Sequence, residues 1–315
     1  MTVTALRKAL VFCVDRAEHP FALFAAHGAA TSSPDRDFDI LICSLDPLDV
    51  PPALAQLGIR NAVLPLKPAL ELASLPVKWL PLIAYLRLWL PDHFADRYDR
   101  LLYVDADTGI TTPLLSRFLE TDLGPHPLGA VVDKAQWIRP NTPIHDFADR
   151  GIDSTRFFNS GVLLIDTANW RARDMLARML AAKDANPNFH FHDQSLLNIV
   201  LRGSFAELSP HWNWQWPQRF ARFTRQKAPG IVHFTSRPKP WHAHETPTTY
   251  APEVIAAYQN FLNAHDLPGR FTVAKPGGLR PGPARQFAVF ADHYVSLPML
   301  NRLFARFPDP LRAII

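Results

Sequence analysis

KALVFCVD (8–15), DFDILICSLD (37–46) and LLYVDADTGIT (101–111) each drive a short, nearly unbroken apolar run into a carboxylate. A strand buried on both faces reads this way, because neither face is left to water. The closing charge cannot follow the run inside, so each strand should end at the mouth of a sheet. Between the runs, HPFALFAAHGAATS (19–32) predicts a helix, and LPLIAYLRLWLPDHF (80–94) carries apolar residues at helical spacing up to Pro91. VLPLKP (63–68) reads as a further short strand. The alternation predicts successive β-α-β units, hence an α/β fold with a mixed, mainly parallel sheet and helices on both faces. Ligands of such folds bind beyond the carboxyl ends of the strands.

Farther along, PLGAVVDKAQW (127–137), FFNSGVLLIDTANWRA (157–172) and GIVHF (230–234) supply strands. NWRARDMLARMLAAKDA (169–185) and HDQSLLNIVLRG (192–203) supply helices, with Asp193 a candidate N-cap of the second. With 315 residues, 48% of them hydrophobic and 20% charged, the chain can bury an enzyme-sized core. Cys13 and Cys43 both lie inside apolar runs and read as buried free thiols on neighbouring strands. The net charge of +4 is too small, over this length, to indicate nucleic-acid binding. No run reaches the roughly 18–20 apolar residues that span a bilayer. The N-terminal apolar run meets Asp15 and Arg16 too soon for a signal peptide, so a cytoplasmic protein is expected.

Between residues 205 and 250 the chain becomes rich in Trp, His and Pro, and Trp212, Trp214, Trp216 and Trp241 are either core or a wall for stacking a sugar or base. KPGGLRPGPAR (275–285) reads as a linker or loop. From 266 onward seven basic residues, Lys275 among them, face three acidic ones, so this extension carries the whole positive excess. Its segment LPMLNRLFARF (297–307) predicts a helix, either docked on the parent domain or attached peripherally to an anionic membrane.

Residues i and i+2 of an extended strand project to one side, so Asp105 and Asp107 can converge on one cation. A hard, oxygen-seeking Mg²⁺ or Mn²⁺ would remove their mutual repulsion and hold a diphosphate at the same time.

The setting of the pair is more specific than the pair. YLRLWLPDHFADRYDRLLYVDADTGITTPL (85–114), FFNSGVLLIDTANWR, HDQSLLN and HFTSRPKPWH (233–242) occur in an order that resembles the family 8 glycosyltransferases, a retaining, nucleotide-sugar-dependent group. The resemblance implies a single Rossmann-like nucleotide-sugar-binding domain of GT-A type over 1–265, followed by a basic, aromatic C-terminal extension over 266–315, helical or irregular. It implies Asp105, Asp107 and His233 as ligands of Mn²⁺, with Mg²⁺ the alternative. It places Asp15 at the nucleoside, Arg87 and Asn159 at the sugar donor, and Asp193 and Gln194 near the anomeric carbon. Lys239 would neutralise the departing diphosphate, with Gln194, Asp193 and Lys239 as the catalytic set. The implied partners are a UDP-sugar donor and a glycan or glycolipid acceptor. Ser236 stands where the family has glycine, and DRAEHPF (15–21) departs from the usual continuation after Asp15.

Two other readings share these residues. One is a non-catalytic carbohydrate-binding protein on the same fold. The other is a haloacid-dehalogenase-type phosphatase, whose Asp-x-Asp also ends a strand; that motif has Thr or Val where this chain has Gly109.

Overall fold

The computed structural model describes residues 5–77, 81–154, 156–270 and 277–315. Leu80 and Lys275 lie outside the described residues. The sheet has seven strands in the order β3-β2-β1-β4-β7-β6-β8. These are β1 Lys8–Cys13, β2 Asp39–Ser44, β3 Ile59–Val63, β4 Arg100–Val104, β6 Leu128–Val132, β7 Phe158–Asp166 and β8 Ala206–Glu207. All neighbours pair in parallel except β7, which runs antiparallel to both β4 and β6. This is the mixed, mainly parallel α/β sheet that the apolar runs predict. Every residue of β1 is buried, as a central strand covered on both faces requires. Cys13 and Cys43 are register partners on β1 and β2, both buried and both free thiols.

A separate two-stranded ribbon, β5 Thr108–Ile110 with β9 Ile231–His233, stands beside the main sheet. The predicted helix His19–Ser32 crosses this ribbon so closely that a Cβ on Gly28 would lie 2.4 Å from the Ile110 carbonyl oxygen. Phe24 of that helix stacks on Tyr258 of the helix Pro252–Ala264, whose hydroxyl donates to Thr108 O at 3.1 Å. The ribbon is thereby pinned from above. Its register decides where His233 stands.

Three segments differ from the sequence expectation. The edge strand β3 lies just before VLPLKP, where Arg60 and Asn61 interrupt the apolar pattern that would reveal a central strand. Residues 82–88 form a 3₁₀ helix in place of an α-helix, followed by a short α-helix Leu90–His93 with Pro91 in its first turn. Proline is tolerated there, since that amide would have no helical partner anyway. The helix expected over 169–185 is two, Thr167–Ala172 and Met175–Ala185, broken at Asp174 in a left-handed conformation.

The C-terminal helix Pro283–Ala305 docks through its second half, where Leu300 and Leu303 are buried. Beyond it Phe307 is buried as well, Phe304 packs edge-on against Trp214, and Trp212 Nε1 donates to Pro310 O. Trp212 and Trp214 are therefore core, the apolar option for that cluster. The docking option for segment 297–307 also holds. The first half of the same helix leaves Phe287 at 71%, Phe290 at 46%, Tyr294 at 50% and Val295 at 81% exposure, an apolar face that the fold does not cover.

Candidate active site

β4 ends at Val104, and one further ladder bond, Asp105 N to Gly161 O at 2.8 Å, carries Asp105 to the rim of the sheet. Two residues later Asp107 O accepts from Phe234 N, and the β5–β9 register sets Thr108 opposite His233. The ribbon so delivers an imidazole to the two carboxylates. His233 Nε2 lies 3.1 Å from Asp107 Oδ1 and 3.7 Å from Asp105 Oδ2, and one ligand atom from each of the three falls within 4.8 Å of the others.

Second contacts fix the imidazole. Asn213 Nδ2 donates to Asn159 Oδ1 at 2.9 Å, which turns its Oδ1 to His233 Nδ1 at 3.1 Å. That contact leaves Nε2 turned toward the two carboxylates, the nitrogen a bound metal would take. Room for the ring comes from Gly161 on β7, where a Cβ would stand 2.1 Å from His233 Cε1. Two carboxylate oxygens and one oriented imidazole nitrogen suit Mn²⁺ well, and oxygen ligands alone would suit Mg²⁺. Asn213→Ala is expected to weaken any divalent-ion binding at this triad about 10–100-fold without unfolding the protein, measured by metal titration with calorimetry. Unchanged affinity would show that Asn213 does not orient the ring.

Lys239 Nζ contacts Asp107 Oδ2 and Phe234 O, both at 2.5 Å. Burial alone would raise the Asp107 pKa; His233 and Lys239 more than reverse this and hold it well below the usual carboxylate range. Asp107 is therefore ionised at neutral pH, and a divalent ion would compete with Lys239 for it.

Arg87, expected to reach a donor sugar, is 6% exposed and spans two carboxylates, with Asp105 Oδ1 at 3.0 Å and Asp193 Oδ2 at 3.2 Å. It also donates to Ala84 O and Ser160 O and lies over the Tyr103 ring, whose hydroxyl donates to Asp105 Oδ1. Despite burial, the two carboxylates keep its pKa raised and the guanidinium charged. The 3₁₀ segment Leu82–Leu88 that carries Arg87 is almost entirely buried, which turns it inward as a brace. Asp193 is not the N-cap of its helix. Phe191 flanks the start of His192–Leu201, while Asp193 accepts from Ser160 Oγ at 2.9 Å and faces Arg87. Burial raises its pKa, and Arg87 only partly offsets the effect.

Gln194 Oε1 accepts from Asn159 Nδ2 and Ser160 N, both at 3.1 Å, so Asn159, Gln194, Asn213 and His233 form one connected network. Asp15 stands apart. Its Oδ1 accepts from Ala17 N and Glu18 N in the turn before the first helix, and Val14 and Glu18 line the neighbouring cavity in its place.

Two cavities meet at the carboxylates. One, of about 740 Å³, is lined by Val14, Glu18, Phe21, Lys239 and Trp241; Trp241 stacks on Phe21 with centroids 3.8 Å apart. The other, of about 550 Å³, is lined by Lys134, Asn159, Phe191, Asp193, Gln194 and His233. Arg87, Asp105 and Asp107 belong to both. Of the residues expected from the sequence, all but Asp15 converge here. Tyr103, Asn213 and Lys134 were not singled out there, and Asn213 lies in a Trp-rich stretch that gives no sign of it.

Comparison with known proteins is consistent with this geometry. The model of "Glycosyl transferase family 8" matches residues 68–245. General stress protein A of Bacillus subtilis (strain 168) is 28% identical over 51% of this chain and 59% of its own length. Lipopolysaccharide glucosyltransferase WaaO of Escherichia coli (strain K12) is 30% identical over 55% of this chain and 53% of its own length. The chain thus spans between half and two-thirds of the length of these relatives. Among solved structures, galactosyltransferase LgtC in complex with donor and acceptor sugar analogs superposes with a TM-score of 0.61 at 21% identity, covering 85% of this chain and 98% of that one. The fold is that GT-A type.

Proposed function

The chain belongs to glycosyl transferase family 8, and we propose that it transfers a hexose from a UDP-sugar to a hydroxyl of a glycan or glycolipid, with retention of configuration. The observation that carries this reading is the meeting of Asp105, Asp107 and His233 at the junction of two cavities. These three residues would hold Mn²⁺, or Mg²⁺, which when bound supplies Lewis-acid stabilisation of the departing diphosphate. The larger cavity takes the nucleotide, against Val14, Glu18 and the Phe21–Trp241 pair, with Asp15 shaping the turn beside it. Lys239 exchanges its contact with Asp107 for the diphosphate, a compact cation where negative charge develops. Asn159, Asp193 and Gln194 position the transferred sugar in the second cavity, and Arg87 keeps Asp105 and Asp193 in place. Residues 1–265 form the transferase unit and 266–315 its extension.

The test is a panel of nucleotide sugars assayed for metal-dependent release of UDP, with and without glycan acceptors. Release from one UDP-hexose, stimulated by Mn²⁺, is expected. Tight Mn²⁺-dependent UDP binding with no turnover of any donor would favour the non-catalytic carbohydrate-binding reading. The family match leaves no ground for the phosphatase.

Among the described residues no helix is long and apolar enough to cross a membrane. Attachment of the extension to an anionic cytoplasmic membrane surface is supported by the uncovered face of Phe287, Phe290, Tyr294 and Val295, with the Arg222 guanidinium 5.2 Å above the Phe290 ring. Sedimentation with vesicles containing phosphatidylserine should fall when Phe287 and Val295 are both replaced by serine. Equal sedimentation of both proteins would remove the membrane from the account.

A further inference from the structure

Lys134 opens the short helix Lys134–Ile138 at the end of β6, held there by two bonds to one side chain: Lys134 N donates to Gln215 Oε1 at 2.9 Å, and Gln215 Nε2 donates to Val132 O at 3.1 Å. Its Nζ reaches across to Thr235 Oγ1 at 2.5 Å and Ser236 Oγ at 3.5 Å. Those two hydroxyls lie on the loop between His233 and Lys239, so one loop carries an expected metal ligand, an expected phosphate cation and the anchor points of a second lysine. Lys134 lines the sugar-side cavity with Asp107 and His233, and Lys239 lines the nucleotide-side cavity. Among the described residues no carboxylate forms an ion pair with the Lys134 ammonium, and the neighbouring Asp133 instead accepts from Ala135 N as a helix cap. Burial pushes the Lys134 pKa down, opposed by Asp133; Lys239 adds to the lowering and Asp107 opposes it. A half-desolvated cation without a counter-ion gains most from an arriving anion.

We propose that Lys134 is a second cation for the leaving diphosphate, meeting its terminal phosphate from the sugar side while Lys239 meets it from the nucleotide side. The assignment rests on the UDP-sugar reading above. In the transfer the bond from the anomeric carbon to the terminal phosphate oxygen breaks and its electron pair stays on that oxygen. The acceptor oxygen bonds to the carbon, and its proton leaves with the phosphate. Until that proton arrives, the developing charge is on the phosphate group between the two lysines. Ser236 supplies one of the hydroxyls that hold Lys134 over the loop.

The experiment measures UDP and UMP binding by calorimetry at saturating Mn²⁺ for wild type, Lys134→Met, Lys134→Gln and Lys134→Arg. UMP lacks the terminal phosphate. Loss of one charge-assisted contact predicts that Lys134→Met weakens UDP about tenfold or more while UMP changes less than about twofold. Lys134→Arg should recover most of the loss. Lys134→Gln, which can still donate to the Thr235 hydroxyl, should behave like Lys134→Met. Equal weakening of UDP and UMP, or full recovery by Lys134→Gln, would make Lys134 a loop anchor and overturn the proposal. So would an unchanged UDP affinity in all variants. If the wild type binds neither nucleotide with Mn²⁺, the donor assignment fails and this proposal fails with it; a wild-type preference for UDP that survives Lys134→Met defeats the proposal alone.

Discussion

Asp107→Asn is expected to cut Mn²⁺-dependent release of UDP from the cognate donor about a thousandfold, equivalent to about 4 kcal/mol of transition-state stabilisation. The substitution is nearly isosteric, so the fold should survive it. What changes is charge. Asp107 is the carboxylate shared by His233 and Lys239, and it is held ionised by both. On the proposed reading, an amide there would weaken the cation site and leave Lys239 without the partner that holds it near the diphosphate. Steady-state release of UDP, with a Mn²⁺ titration of each protein, makes the comparison. A variant within about tenfold of wild type would remove Asp107 from the metal site, because loss of a preorganised charged group at a transfer centre costs more than that.

The second large effect needs only one methyl group. Gly161→Ala places a Cβ 2.1 Å from His233 Cε1, 2.6 Å from its Nδ1 and 2.8 Å from Asp105 Oδ2. β7 is held at this point by the β4 ladder and by the Asp105 N–Gly161 O bond. The imidazole has to move, and with it both the Asn213 contact and the ligand set. The expected outcome is a loss of about 1–3 kcal/mol in stability from overpacking and a fall of about a hundredfold in Mn²⁺ affinity. Gly109→Ala is the control, because its added Cβ would meet the Phe234 ring at 3.6 Å, an ordinary contact. Urea denaturation and metal titration on both variants read the two effects separately. Wild-type metal affinity in Gly161→Ala would show that His233 is not a ligand.

Much of the scaffold could be read from residue order. The unbroken apolar runs of β1, β2 and β4 read as strands covered on both faces, and the carboxylates that close β4 mark the rim where the two cavities meet. The edge strand β3 could not be read, since half-exposed Arg60 and Asn61 carry no such pattern. The 3₁₀ segment departs from its pattern for a related reason. Apolar residues recur there at helical spacing, but the segment is buried almost all round, and periodicity reports a single buried face. Arg87, expected at the sugar donor, lines both cavities and also bridges Asp105 and Asp193, because the buried segment turns it inward.

The sequence by itself determined the sheet, the carboxylate pair at its mouth and, through four ordered motifs, the family to which the chain belongs. These are local properties, because a strand's two-residue alternation already sets Asp105 and Asp107 on one side. Only the tertiary structure decided the company they keep. The register of the β5–β9 ribbon delivers His233, Asn213 orients its ring from a separate loop, and Lys134, just past the end of β6, reaches the loop that carries Lys239. Each of those contacts joins residues remote in sequence through backbone packing; the ordered motifs name His233 and Lys239 by resemblance, but the ring's orientation, the Asn213 contact and the reach of Lys134 are set only in three dimensions.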